Sequence, residues 1–304
     1  MNAEFPYRDG NALWAAVRSR AKTEASASGI AVEAIIRQFV VDRFLARVFA
    51  SPRSGWVLKG GNAVLSRVHD ARTTKDVDLL VDLTNLEDAV ARLRAAVAAD
   101  LGDHFRFVVT EARASSGGAL QPGVEGCKVA VDAYCGVTRR HRFSVDLVTG
   151  SLMTAEPEVL VRPGLVPAVS PTHVSLYPVA DHIADKVCAT QTMYGTNGDQ
   201  PSTRVRDLVD LVVFARTQHI DGTDLDRAIM AEWTHRSLPG QPFFAPPRTW
   251  GRLYPAAARR VPACGDVLTF QAALELTASF LDPVLEHTVE GMCWSPENRA
   301  WGIA

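Results

Sequence analysis

Apolar residues recur every three or four positions in two blocks near the start of the chain, roughly Gly10–Glu24 and Ile30–Ala50, and the spacing predicts two helices. The second block is the most apolar stretch. Glu33, Arg37, Asp42, Arg43 and Arg47 interrupt it, mostly at helical spacing, which predicts an amphipathic core helix and not a membrane span. At Gly55 the texture changes. GWVLKGG is a short apolar run closed by a glycine pair, a strand entering a tight turn. NAVLSRVHD reads as a short helix, ARTTK as a polar loop and DVDLLVD as a strand. Leu86, Val90, Leu93, Val97 and Leu101 form one stripe of a helix over Asn85–Leu101, and Phe105–Thr110 reads as a further strand. GCKVAVDAY and RFSVDLVTG, joined through GVTRRH, predict an antiparallel hairpin.

Beyond Gly150, Pro157, Pro163, Pro167, Pro171 and Pro178 punctuate what reads as a loop-rich link. Helical periodicity then returns over Val179–Tyr194, Ser202–His219, Asp224–Arg236 and Phe270–His287, with a proline- and aromatic-rich stretch, Pro239–Pro262, before the last. The expected organisation is an α/β (α+β) domain with a mixed sheet and N-terminal helices over residues 1–150, followed by a helical domain over 151–304. No internal repeat interrupts it.

Composition narrows the function classes. With 304 residues, 47% hydrophobic and 22% charged, the chain is an ordinary globular one, which excludes a disordered or fibrous protein. Its net charge of −2 argues against coating nucleic acid through bulk charge, though a local basic patch is compatible with it. The N-terminus lacks an apolar leader segment, and the five cysteines show no CxxC spacing, so a cytoplasmic protein without disulfides or a zinc knuckle is expected. Only Lys22, Lys59, Lys75, Lys128 and Lys186 among 32 basic residues are lysines. Where arginine is the habitual cation, a retained lysine points to a need for a compact ammonium.

The chemistry centres on Lys59-Gly60-Gly61 and on Asp76-Val77-Asp78. Side chains two apart on a strand share a face, so Asp76 and Asp78 point one way while Val77 and Leu79 point into the core. Two adjacent carboxylates repel and raise each other's pKa unless a cation sits between them. Mg²⁺, or Mn²⁺, takes oxygen ligands and commonly joins carboxylates to substrate phosphates. The glycine pair lets backbone approach a phosphate, and the helix after it offers free N–H groups. On RFSVDLVTG, Phe143, Val145 and Leu147 face the core, so Asp146 faces the other way and joins the pair if its strand lies beside DVDLLVD. Three such carboxylates can hold two metals, one on the triphosphate and one on the attacking hydroxyl. A DxD alone is more often surface charge than chemistry; the ordered series of strand, glycine pair, helix, loop, DxD and later strand aspartate is what points to nucleotidyl transfer.

VLKGGNAVLSRVHDARTTKDVDLL resembles the AbiEii/MenT family of bacterial nucleotidyltransferase toxins, whose pattern is KGG followed by R-x-[ST]-x-D-[IV]-D-L. ADKVCATQTMYG and STRVRDLVDLVVFA resemble the same family's second half, a helix with a lysine followed by R-x-[KR]-D-x-x-D-L. The resemblance spans roughly Trp56 to Ala215. It implies a polymerase β-type nucleotidyltransferase domain with a helical domain after it. It also implies a toxin, neutralised by a cognate antitoxin in a type IV-like system, that transfers nucleotides from an NTP to tRNA at the 3′ acceptor end. Carried onto this chain, Asp76 and Asp78 are metal carboxylates, Lys59 contacts phosphate or supports the metal loop, Lys186 binds the triphosphate and Asp207 is its polar partner on the next helix. Gly60, Gly61 and Thr74 complete the nucleotide loop, with Gly61 where the wider superfamily has serine and Thr74 where this family often has serine.

From the residues alone, Lys186 borders the apolar stripe of its helix, and neither Asp181 nor Asp185 is spaced to pair with it, so no local ion pair explains it. Asp207 is spaced to pair with Arg204. Two basic stretches are candidates for RNA: Arg139, Arg140 and Arg142 beside Asp146, and Arg248, Arg252, Arg259 and Arg260 interleaved with Phe243, Phe244, Trp250 and Tyr254. The bland alternative for the second is a proline-pinned loop whose aromatics fill core. The competing functions are a nucleotidyltransferase on a small molecule such as an antibiotic, and a binding module with a decayed site. Intact Asp76, Asp78 and Asp146 argue against decay.

Overall fold

The computed structural model describes residues 5–303 apart from 52–53, 83–84, 116–123, 168 and 196. Two helices open the chain, α1 (Gly10–Ser28) and α2 (Val32–Val48). Asp9 caps α1 by accepting the Ala12 N–H at 2.8 Å. Then come β1 (Trp56–Lys59), α3 (Gly60–Arg67), β2 (Asp76–Val81), α4 (Leu86–Val97), β3 (Phe105–Ala114), β4 (Glu125–Cys135) and β5 (Thr138–Thr149). Each matches an element expected from the periodicity, to within a few residues at its ends.

The segment read as a loop-rich link instead contributes two strands, β6 (Glu158–Arg162) and β7 (Thr172–Leu176). They close one edge of a seven-stranded mixed sheet in the order β3-β4-β5-β2-β1-β7-β6. The α/β unit therefore runs to Leu176, past the boundary expected at residue 150. The prolines that suggest a link flank these strands and do not break them: β6 is an edge strand, where a missing N–H costs little.

One face of the sheet is dry. Val77, Leu79, Val145, Leu147, Phe105 and Phe107 pack there against Leu13, Val17, Phe39, Phe44 and Leu93 of the helices. Within that layer Arg43 and Arg47 of α2 are buried, not solvent-facing. They hold Asp103 at 2.8 and 2.6 Å, two buried cations sharing one carboxylate. The opposite face bears the alternate residues, among them Asp76, Asp78, Ser144 and Asp146.

The second half is helical, as expected: α5 (Val179–Gln191), α6 (Val205–Thr217), α7 (Gly222–His235), α8 (Tyr254–Ala258) and α9 (Phe270–Leu285). A small sheet of β8 (Ile220–Asp221), β9 (Met292–Ser295) and β10 (Ala300–Ile303) accompanies them. Its core gathers Ile183, Val187, Leu208, Val212, Trp250, Tyr254, Phe280 and Trp294. Short α3 belongs to both layers, since Ala63 lies in the first core while Val64 and Val68 lie in the second. The glycine turn at its start is thereby held from both sides. All five cysteines are free. Among the described residues no helix is long and apolar enough to cross a membrane.

Candidate active site

The sheet register assembles the three carboxylates. β2 and β5 are parallel neighbours, and Asp78 lies directly beside Asp146 while Asp76 lies beside Ser144. All three aspartates therefore share the open face, Asp76 and Asp78 by the two-residue repeat and Asp146 by register. β1 runs antiparallel on the other side of β2, bringing Lys59 opposite Asp78. The β2–β5 pairing is the strand neighbourhood on which Asp146 joining the pair depends.

The turn from β1 into α3 fits that register closely. Gly60 has φ of 58°, and a Cβ there would overlap the Asp78 carboxylate. A Cβ on Gly61 would come within 2.9 Å of Thr74 Cβ. Both glycines are thus required by what packs over them. Asn62 Nδ2 donates to the Asp76 carbonyl at 2.9 Å, and Thr74 Oγ1 donates to the same oxygen at 3.2 Å. Thr74 thereby fixes the start of β2. Asn62, which no sequence motif singles out, is its partner, buried beneath the DxD.

The carboxylates are under-compensated. Burial, then the charge of Asp146, pushes Asp78 up to about 6. Burial also raises Asp146, against the pull of Lys128. Lys128 Nζ stands 3.4 Å from Asp146 Oδ1 and 4.0 Å from Asp76 Oδ1. Among the described residues no group of three or more His, Cys, Asp or Glu is drawn together tightly enough to hold a metal by itself. The donor set nevertheless suits a hard divalent cation: oxygen ligands only, surplus negative charge, and a glycine turn next to Asp78 where any side chain would intrude.

Lys186 and its partners form a second charged cluster. Lys186 is 3% exposed, and its Nζ donates to Asp210 Oδ2 at 2.7 Å and to Asp207 Oδ1 at 3.2 Å. Arg204 Nε reaches Asp207 at 2.5 Å, the pairing expected from spacing. Arg72, in the loop before β2, grips Asp210 with Nε and Nη2 at 2.8 and 2.9 Å. The ammonium expected at the triphosphate is therefore turned onto two carboxylates. Asp210, three residues beyond Asp207 on α6, is the fully buried hub. Arg72 opens the motif, yet spacing alone gives it no role, because its partner lies 138 residues away. Arg72 and Lys186 both pull the Asp78 pKa down against its other neighbours, which places this cluster electrostatically beside the carboxylates.

Lys59 turns to the other side. Its Nζ donates to Ser151 Oγ at 3.1 Å and lies 4.1 Å from the Tyr177 ring centroid. Burial opposes ionisation of Asp185, but Lys59 and Arg236 outweigh it and hold that carboxyl well below its usual range.

A family model described as nucleotidyl transferase AbiEii toxin, type IV TA system, matches residues 43–276. The chain belongs to this family. As an AbiEii-family protein it is a nucleotidyltransferase, and the glycine turn and DxD lie inside the matched span. Among solved structures, MenT4, a nucleotidyltransferase toxin from Mycobacterium tuberculosis H37Rv, shares the fold at TM-score 0.51 and 16% identity, covering 89% of this chain and 98% of that one. JHP933 from Helicobacter pylori is matched at TM-score 0.43 and 13% identity over 85% of this chain and 94% of that one. No curated protein matches.

The basic residues expected to meet RNA divide among three places. Arg139 and Arg142 lie near Asp132 at 3.3 and 3.8 Å, and Arg142 shares the open face with Asp146. A bulge between Ala133 and Tyr134 turns Arg140 away, onto Asn11 and the Trp14 ring of α1. Arg248, Arg252, Arg259 and Arg260 are exposed in the helical half. Trp250 and Tyr254, read as stacking partners for RNA, are buried instead: Trp250 Nε1 donates to the Ser202 carbonyl at 3.0 Å and Tyr254 OH to the Val267 carbonyl at 2.9 Å. They plug the core, as the bland alternative holds.

Proposed function

We propose that this toxin transfers a nucleotide from an NTP to the 3′ end of tRNA, that the reaction depends on Mg²⁺ or Mn²⁺ and takes place in the cytoplasm, and that a cognate antitoxin neutralises it. The observation that carries the site is the register of Asp78 with Asp146, with Asp76 on the same face and the Gly60–Gly61 turn packed against Asp78. Asp76, Asp78 and Asp146 would hold the metal ions. When bound, such ions offset triphosphate charge and acidify the attacking hydroxyl.

The chain's own groups do the remaining work. The backbone of the glycine turn and the first N–H groups of α3 receive phosphate oxygens. Arg72 spends Nε and Nη2 on Asp210, which leaves Nη1 beside the turn, 3.2 Å from the position a Gly61 Cβ would take. Lys186, with Asp207 and Asp210, serves the triphosphate by fixing that guanidinium. The acceptor hydroxyl releases its proton to solvent and attacks the α-phosphorus, the bond from that phosphorus to the α–β bridging oxygen breaks, and pyrophosphate leaves. Asp146 lies toward the acceptor side, because Arg142 and Arg139 continue the same face away from the glycine turn. Arg106, stacked 4.3 Å over the Tyr134 ring, extends this basic, partly aromatic surface, which suits a single-stranded RNA end.

Incubating the protein with total tRNA and each α-labelled NTP in turn tests the proposal. Label entering tRNA with the wild type but not with Asp78→Asn is expected. Label entering only a small acceptor would transfer the assignment to the small-molecule class.

A further inference from the structure

Lys128 is placed in a way the reaction as described does not use. It lies on β4 directly across from Asp146, on the open face, about half exposed. Among the described residues it is the only ion-pair partner of Asp76 and of Asp146. Its ammonium thus stands against the same carboxylate oxygens that a divalent cation would use. Its other cross-strand neighbour is Arg113 on β3, and the nearby acid, Glu111, already pairs with Arg113. An ammonium displaced from Asp146 finds a like charge on β3, not a second carboxylate.

We propose that Lys128 stands in for the divalent cation in the substrate-free site. It competes with metal for Asp76 and Asp146, and it yields when a triphosphate supplies both further oxygen ligands and an anion for the displaced ammonium. Lys128 is thus a positioning residue that makes metal and nucleotide bind together. A lysine suits the role: its charge is compact and its four-carbon stem can swing without disturbing the strand. The proposal rests on the assignment of the three aspartates as metal ligands.

The test is Mn²⁺ binding, followed by the electron paramagnetic resonance signal of free Mn²⁺, on the full chain. Wild type, Lys128→Met, Lys128→Arg and Asp78→Asn are compared with and without a non-hydrolysable α,β-methylene NTP. Without nucleotide, Lys128→Met is expected to bind Mn²⁺ about tenfold more tightly than wild type, the scale of removing a unit charge a few ångströms from a divalent ion in a solvated site. Lys128→Arg keeps the charge and stays near wild type. The nucleotide analogue tightens Mn²⁺ binding strongly in wild type and weakly in Lys128→Met. Equal Mn²⁺ affinity in wild type and Lys128→Met, with binding lost in Asp78→Asn, would overturn the exchange and leave the metal site standing. No Mn²⁺ binding by folded wild type or Lys128→Met, with or without the analogue, would overturn both. Thermal melts of each variant confirm folding, and a half-exposed strand position tolerates methionine.

Discussion

Two clusters of aspartates lie side by side in this molecule and are treated in opposite ways. Asp207 and Asp210 sit in the helical half, buried, and three cations close on them: Lys186, Arg72 and Arg204. Burial alone would raise Asp210, yet Lys186 and Arg72 hold it down to about 2. Asp76, Asp78 and Asp146 sit on the open sheet face with one half-exposed lysine between them, and Asp78 is pushed up to about 6. The first cluster is electrically complete and joins the loop before β2 to the helical half. The second is short of positive charge and so is suited to receive it. Fold stability is sacrificed at one set of carboxylates and secured at the other.

Removing ligands from the open cluster should have the largest effect. Asp76→Ala and Asp146→Asn should each lower nucleotide transfer by at least about a thousandfold, the scale of several kcal/mol of lost transition-state stabilisation. Their melting temperatures should stay close to wild type. The two should differ in kind, Asp146→Asn sparing NTP affinity more than Asp76→Ala; titration of labelled NTP checks this, and the reverse order would undo the division of roles.

The closed cluster should respond in stability first. Lys186→Met leaves two buried carboxylates short of a partner and should cost about 3 kcal/mol in denaturant unfolding. A loss within error of zero would mean that the cluster is not the clamp its geometry suggests.

A smaller effect is expected in the pH dependence of the metal-free protein. Asp78 binds its proton more tightly folded than unfolded, so its contribution is fully present below about pH 4 and is lost as pH rises through about 6. The melting temperature of Asp78→Asn minus that of wild type should therefore grow across this window, by a few degrees, and level off above it. A flat difference would remove the electrostatic contrast between the clusters.

The smallest effect belongs to the surface. Arg139→Ala with Arg142→Ala should weaken acceptor RNA binding and reduce the salt slope by about 0.7 for each phosphate that is no longer neutralised, leaving NTP binding unchanged. An unchanged slope would direct attention to Arg248 and Arg252.

Much of this contrast is legible in the sequence, but unevenly. The alternation in DVDLLVD and RFSVDLVTG places all three aspartates on one face, because a strand's period is local. The helices of both halves follow from their apolar stripes for the same reason. β6 and β7 escape because five prolines dominate their neighbourhood and the strands are short. Arg72, Asn62, Lys128 and Asp210 escape because their roles depend on partners that only the tertiary fold brings together. Trp250 and Tyr254 show the limit of composition: interleaved along the chain with exposed arginines, these two aromatics turn to the core, while Phe243 stays half-exposed.

The division of labour is tested most directly by one paired measurement, melting temperature and transfer rate of Asp78→Asn and Asp210→Asn at pH 7 without metal for the melts. Asp78→Asn is expected to melt at or above the wild-type temperature and to lose transfer. Asp210→Asn is expected to melt well below it, because Lys186 and Arg72 lose their common buried counter-charge. An Asp78→Asn protein that melts early beside an Asp210→Asn protein that melts and works like wild type would contradict the account.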